Sequence, residues 1–159
     1  MVILNDKKMK TIHLIAPLVL IAIAFAANAQ TKRNSEQEEA NKKMVMAFYQ
    51  GLFGDKDYSV IDKYISKDYI QHNPSLADGA EALKNAVQIW LKDVPKGKVN
   101  FQHTAADGDL VFLHVKTYGA SGKVTAIVEI FKVKNNRIVE HWDVIQEVPE
   151  KSANEHPMF

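Results

Sequence analysis

The 159-residue chain contains no cysteine, which excludes disulfides, cysteine-ligated zinc, iron–sulfur clusters and thiol catalysis. A surplus of one charge sign is also missing. Twenty Lys and Arg face 19 Asp and Glu, a formal net charge of +1, and no long basic run occurs. The electrostatic footprint of a nucleic-acid binder is therefore lacking. There is no internal repeat and no low-complexity tract. With 47% hydrophobic and 25% charged residues, the composition is that of a folded protein rather than a disordered one. The length suits a single domain rather than a two-domain enzyme.

One long apolar run is present. Ile12 to Ala27 (IHLIAPLVLIAIAFAA) follows Lys7, Lys8 and Lys10 and leads into the small-residue pattern Ala27-Asn28-Ala29. Those parts in that order make a secretory signal peptide over residues 1–29, cleaved after Ala29. A permanent membrane helix needs about 20 apolar residues. This run is shorter and contains His13 and Pro17. The expectation is a periplasmic or secreted protein with no membrane attachment after cleavage and a single domain over residues 30–159.

The domain begins with helices. Ser35-Glu36-Gln37-Glu38 has the form of a capping box, and Ala40, Met44, Phe48 and Leu52 follow at spacing four with Val45 beside them. Gly51 and Gly54 close that helix. Tyr58 to Ile65 reads as a short second helix, and Asp68 to Pro74 as an extended segment. Asp78-Gly79-Ala80-Glu81 offers a second capping box. Behind it Leu83, Val87, Trp90 and Leu91 form an amphipathic stripe that stops at Pro95. From Lys98 the period changes to two. Four runs follow (Val99–Ala106, Leu110–Tyr118, Val124–Val133 and Ile138–Val148), joined by connections short enough for hairpins. Helices first and an antiparallel meander afterwards make an α+β fold with the helices on one sheet face.

The strands are apolar on both faces: Val111, Leu113 and Val115 alternate with Leu110, Phe112 and His114. Helices cover only one face of a sheet. The other must bend over a pocket or meet a second subunit, and a curved sheet folded around a cavity suits the first; exposed sheet surface in so small a domain makes a homodimer the expected assembly as well. Ionisable groups that interrupt these faces are the candidates for function: His72 and Asn73 before Pro74, His103, His114, Glu129, His141 and Asp143. Whether they converge depends on the hairpin at Lys134-Asn135-Asn136. A two-residue turn pairs Lys134 with Arg137 and sets Glu129 opposite Trp142. A three-residue loop pairs Val133 with Arg137 and sets Glu129 opposite His141, with Asp143 farther along the same face. The second register is the expected one, because Asn tolerates the left-handed conformation that such a loop requires. No compact His-x-x-x-His spacing supports a metal site.

Several of these segments carry a family likeness. YIQHNP at Tyr69–Pro74, GDLVFLHV at Gly108–Val115, VEIFKVKNNRIVEHWDVIQ at Val128–Gln146 and the closing NEHPMF at Asn154–Phe159 together resemble the SnoaL-like polyketide cyclase family, and most closely its predicted aldol-condensation branch. The resemblance implies the nuclear transport factor 2-like fold, a cone of curved antiparallel β-sheet wrapped around N-terminal helices. It also implies acid/base catalysis of aldol closure on a small carbonyl compound, with no metal or organic cofactor. By motif position the acid/base role falls on Asp143, with His141, Glu129 and His72 as catalytic neighbours. Trp90, Phe112 and Phe131 would be apolar substrate walls, and His114 and Asn73 further substrate contacts. Two classes stay open on the residues alone: such an enzyme, or an exported protein that binds a small hydrophobic ligand without turning it over. Export makes a direct prediction. N-terminal sequencing of material recovered outside the cytoplasm should begin at Gln30, and recovery of a cytosolic chain with Met1 intact would refute it.

Overall fold

Helix α1 (Ser35–Tyr49) is capped one residue earlier than its capping-box pattern suggests. Asn34 Oδ1 accepts from the backbone N–H of Gln37 at 3.1 Å. Glu38 is thereby released, and its carboxylate accepts from the backbone N–H of Gly108 at 2.9 Å; Asn41 Nδ2 donates to the Gly108 carbonyl at 3.3 Å. The helix is thus pinned by its first turns to a β-turn far away in sequence. Its buried stripe, Val45, Phe48, Tyr49 and then Leu52, faces the sheet. The computed structural model describes residues 33–159 apart from Ala120; the expected signal peptide lies outside the described residues.

A π turn, Gln50–Gly54, follows α1 directly. It packs so close to the next helix that a Cβ on Gly51 would sit 2.7 Å from Val60 Cγ1. Gly51 therefore serves a close approach, where the sequence pattern had suggested a helix stop. Helix α2 (Ser59–Tyr64) passes without a loop into strand β1 (Ile65–Gln71). The Arg137 guanidinium donates to the carbonyls of Asp62 and Ile65 at that junction, at 3.1 and 2.9 Å. Helix α3 (Ala80–Trp90) starts at Gly79, which has φ +95° and makes no side-chain cap. Asp78, expected to cap α3, accepts instead from the Gln71 backbone N–H at 2.7 Å, and Gly79 N–H donates to the Tyr69 carbonyl at 2.8 Å. These two bonds occupy the free edge of β1, where unpaired backbone groups would otherwise invite another strand. Among the described residues no helix is long and apolar enough to cross a membrane.

Strands β2 (Asn100–Asp107), β3 (Leu110–Tyr118), β4 (Val124–Lys134) and β5 (Arg137–Glu147) form the expected meander. The sheet has five strands in the order β1-β5-β4-β3-β2, and β1 joins β5 in parallel, an addition the local pattern did not announce. Register shifts in the β1–β5, β2–β3 and β4–β5 ladders bend the sheet. The ladders align Val111, Leu113 and Val115 with Glu129 and Phe131 on the face that meets the helices. Phe131 meets Phe48 and Tyr49 of α1 edge-on, with ring centroids 6.1 and 6.3 Å apart.

The β4–β5 hairpin departs from both registers that the sequence allows. Asn135 (φ 51°) and Asn136 (φ 58°) are both left-handed, so the turn has two residues and Lys134 pairs with Arg137. The expected three-residue loop is thus replaced by the tighter turn, whose twist matches that of the strands. One step on, the register shifts: Val133 pairs with Ile138 and Lys132 with Glu140, leaving Val139 as an extra residue in β5. Glu129 consequently faces Asp143, and Phe131 faces His141. All four side chains still share the helix-covered face, because the bulge restores the parity that the tight turn alone would have reversed. The turn yields a test. Asn136→Gly should raise stability by up to about 1 kcal/mol, and Asn136→Val should lower it by about 1–3 kcal/mol, read from chemical-denaturation midpoints.

Candidate functional site

The charged groups on the inner sheet face form one hydrogen-bonded cluster. Glu129 and His141 are buried, and their side chains meet at 2.6 Å from Oε2 to Nε2. Tyr49, reaching down from α1, donates to Glu129 Oε1 at 2.8 Å. The other imidazole nitrogen, Nδ1, lies 2.8 Å from Gln71 Oε1 on the parallel strand β1. Gln71 Oε1 also accepts from the backbone N–H of Asn73 at 3.0 Å, and Gln71 Nε2 donates to the Tyr69 hydroxyl at 3.2 Å. Asn73 Nδ2 completes the circuit by donating to Asp143 Oδ2 at 2.6 Å. Asp143 is only partly buried, and its carboxylate has no hydrogen-bond partner besides Asn73 among the described residues.

Aromatic rings wall the cluster. Phe131 leans on His141 with ring centroids 4.8 Å apart, and Tyr49 touches Phe53 and Phe101 at 4.5 and 5.9 Å. In this setting burial comes first, and the nearby Glu129 and Asp143 carboxylates second, in holding the Tyr49 phenol well above the ordinary tyrosine range. Tyr69 is raised for the same two reasons, and only partly offset by the hydrogen bond from Gln71. Both phenols are therefore held in the protonated form. One ligand atom each from Glu129, His141 and Asp143 lies within 4.8 Å of the others, a set with the composition to hold a divalent cation. A cation could take His141 Nε2 only by breaking its bond to Glu129.

The candidates named from the sequence divide between the two faces. Glu129, His141, Asp143, Asn73 and Phe131 come together here. His72 does not: its ring stacks on Trp142 at 4.5 Å with its Nε2 3.5 Å from Glu140, on the outer face, and only its backbone N–H reaches the His141 carbonyl. Alternation along β1 explains this, since Gln71 pairs with His141 and the next side chain must point the other way. His114 and Phe112 also belong to the outer face. His114 Nδ1 lies 3.1 Å from Nδ1 of His103, and the His114 ring stacks near Phe159. Trp90, on the amphipathic stripe and expected as a substrate wall, is 51% exposed at the end of α3 and does not join the cluster. Sequence reasoning overlooked Tyr49, Tyr69 and Gln71. Tyr69 and Gln71 left a trace as members of the YIQHNP segment, and Tyr49 left none. A groove of about 870 Å³ lies elsewhere, lined by polar groups including Asn41, Asp68, Lys132 and Glu140 and by none of Glu129, His141 and Asp143.

Comparison with known proteins gives a consistent picture. The family model described as SnoaL-like polyketide cyclase matches residues 43–152. Among solved structures, TsrD from Streptomyces laurentii is similar at a TM-score of 0.56 with 19% identity, over 67% of this chain and 88% of that one. An NTF-2 like protein of unknown function from Burkholderia xenovorans LB400 reaches 0.59 with 16% identity, over 73% and 90%. An LEH-like epoxide hydrolase from M. tuberculosis reaches 0.57 with 17% identity, over 69% and 85%. At these identities the likeness concerns the fold. None of the curated proteins matches the chain.

The two raised phenols predict an alkaline limit. A tyrosine held protonated by the fold contributes stability that is fully present below the unfolded value of about 10 and lost as pH rises through the higher folded value. Stability should therefore fall between about pH 9 and about pH 11, and fall less steeply in Tyr69→Phe. Denaturation midpoints at the two pH values measure this; equal slopes for both chains would contradict it.

Proposed function

Because the chain belongs to the SnoaL-like polyketide cyclase family, we propose that it is a cofactor-free acid–base enzyme acting on a small carbonyl compound, by aldol condensation or cyclisation or a related proton transfer. One observation carries the reading. Asp143 offers a carboxylate that is oriented by Asn73 at 2.6 Å yet otherwise unpartnered among the described residues, beside a buried imidazole–carboxylate pair. A carboxylate with one oxygen held and the other open is oriented to accept a proton, as a general base must be.

In the proposed reaction Asp143 takes the proton from the carbon next to the substrate carbonyl, and the electron pair moves onto the carbonyl oxygen as an enolate. The His141–Glu129 pair lies within 4.8 Å of Asp143 and stabilises that developing charge. The enolate carbon then bonds to a second carbonyl carbon, whose oxygen becomes an alkoxide. The proton held by Asp143 passes to this alkoxide, so the carboxylate is regenerated and nothing beyond the substrate is consumed. Phe131 and the rings around Tyr49 exclude water, which strengthens these electrostatic interactions.

Export directed by residues 1–29 would place the enzyme in the periplasm or outside the cell. Pairing of two copies would cover the outer sheet face, where Val128 is 39% and Val144 66% exposed. The decisive test is Asp143→Asn. The amide keeps the shape and still accepts from Asn73, so the fold should survive. Turnover of a small hydroxyl- or keto-substituted carbonyl substrate should drop by about 10²–10⁴-fold. Undiminished turnover in a folded variant would end the assignment of Asp143 as the base.

A further inference from the structure

The hydrogen bonds around Gln71 determine where protons sit in the cluster. A backbone N–H can only donate, so the bond from Asn73 N–H at 3.0 Å requires an oxygen at the Gln71 position labelled Oε1. The bond from the opposite side-chain atom, Nε2, to the Tyr69 hydroxyl at 3.2 Å agrees with that orientation of the amide. The same oxygen lies 2.8 Å from His141 Nδ1. An amide oxygen has no proton to give, so Nδ1 must carry one. The ring's remaining nitrogen, Nε2, meets Glu129 Oε2 at 2.6 Å, a contact between two acceptors unless one proton lies between them. The other carboxylate oxygen, Glu129 Oε1, accepts from the Tyr49 hydroxyl at 2.8 Å.

We infer that Gln71 is a positioning residue that locks His141 with its proton on Nδ1 and thereby leaves a single proton shared between His141 Nε2 and Glu129. This inference rests on the reading of Glu129, His141 and Asp143 as an acid–base site, and it assigns the proton inventory of that site. Free histidine favours its neutral form with the proton on Nε2, which would donate to Glu129 and leave Nδ1 bare. Gln71 enforces the opposite arrangement. Its carbonyl has a second effect, because the Asn73 backbone it anchors carries the side chain that orients Asp143. One amide oxygen thus aligns both halves of the site, as partners outside the reacting groups do in metal and catalytic centres.

The test is a two-bond ¹H–¹⁵N correlation spectrum of the histidine rings in the full-length folded protein, with His141 assigned through His141→Gln. In the native chain His141 Nδ1 should show the protonated signature at about pH 8.5, above the free-histidine range. Gln71→Glu retains an oxygen acceptor and should keep that signature. Gln71→Met removes the acceptor and should shift the ring to a bare Nδ1 with a proton on Nε2. A bare Nδ1 in the native chain or in Gln71→Glu would overturn the inference, as would a protonated Nδ1 persisting in folded Gln71→Met. Should Gln71→Met not fold, the native and Gln71→Glu spectra decide the matter alone. No substrate is needed, so this result is separable from the proposed reaction. An active Asp143→Asn with Nδ1 protonated would remove the acid–base role and leave the proton assignment standing.

Discussion

A carboxylate and an imidazole buried against each other set the terms for the rest of this fold. Glu129 and His141 meet at 2.6 Å on the inner face of the sheet. Removing one partner from such a pair typically costs about 3–5 kcal/mol, because the survivor is left buried and uncompensated. The pair also needs its outer valences filled, and these come from distant parts of the chain: Tyr49 on α1 and Gln71 on β1. No buried side-chain nitrogen or oxygen among the described residues lacks a partner. The helix layer, the parallel edge strand and the central hairpin must therefore dock together for any of them to be satisfied. Burial of charge, normally a liability, here ties four elements to one point.

The hairpin between β4 and β5 shows how a single residue decides which groups meet. A two-residue turn with a regular ladder would turn Trp142 toward the helices and send His141 and Asp143 outward. Val139, accommodated as a bulge, moves the register by one and returns both to the side of Glu129. Trp142 then lies on the outer face, stacked on His72. The two faces consequently carry different chemistry. The inner face holds a closed hydrogen-bond network with one carboxylate left open. The outer face carries aromatic and histidine stacks among exposed aliphatic side chains.

The helix-capping residues repeat the lesson on a smaller scale. Glu38 and Asp78 both stand in capping-box positions, yet both carboxylates bind backbone N–H groups elsewhere, at Gly108 and Gln71. A carboxylate near an exposed helix end gains little from capping when a backbone N–H of another segment lies within reach. That choice cannot be read from a four-residue window. It exists only once the β2–β3 turn and the β1 edge have been brought alongside.

The sequence by itself determined what short-range physics controls. The period of apolar residues separated helices from strands, and the turn residues delimited four antiparallel strands to within a residue or two. Two-residue periodicity within each strand placed Glu129 with Phe131, and His141 with Asp143. Tertiary structure alone decided what spans the chain. The parallel docking of β1 on β5 brought Gln71 to His141 and turned His72 away, and the packing of α1 carried Tyr49 to Glu129. Parallel pairing of segments some 70 residues apart leaves no local signature, because its free energy comes from burial and hydrogen bonds that form only after the intervening chain has folded.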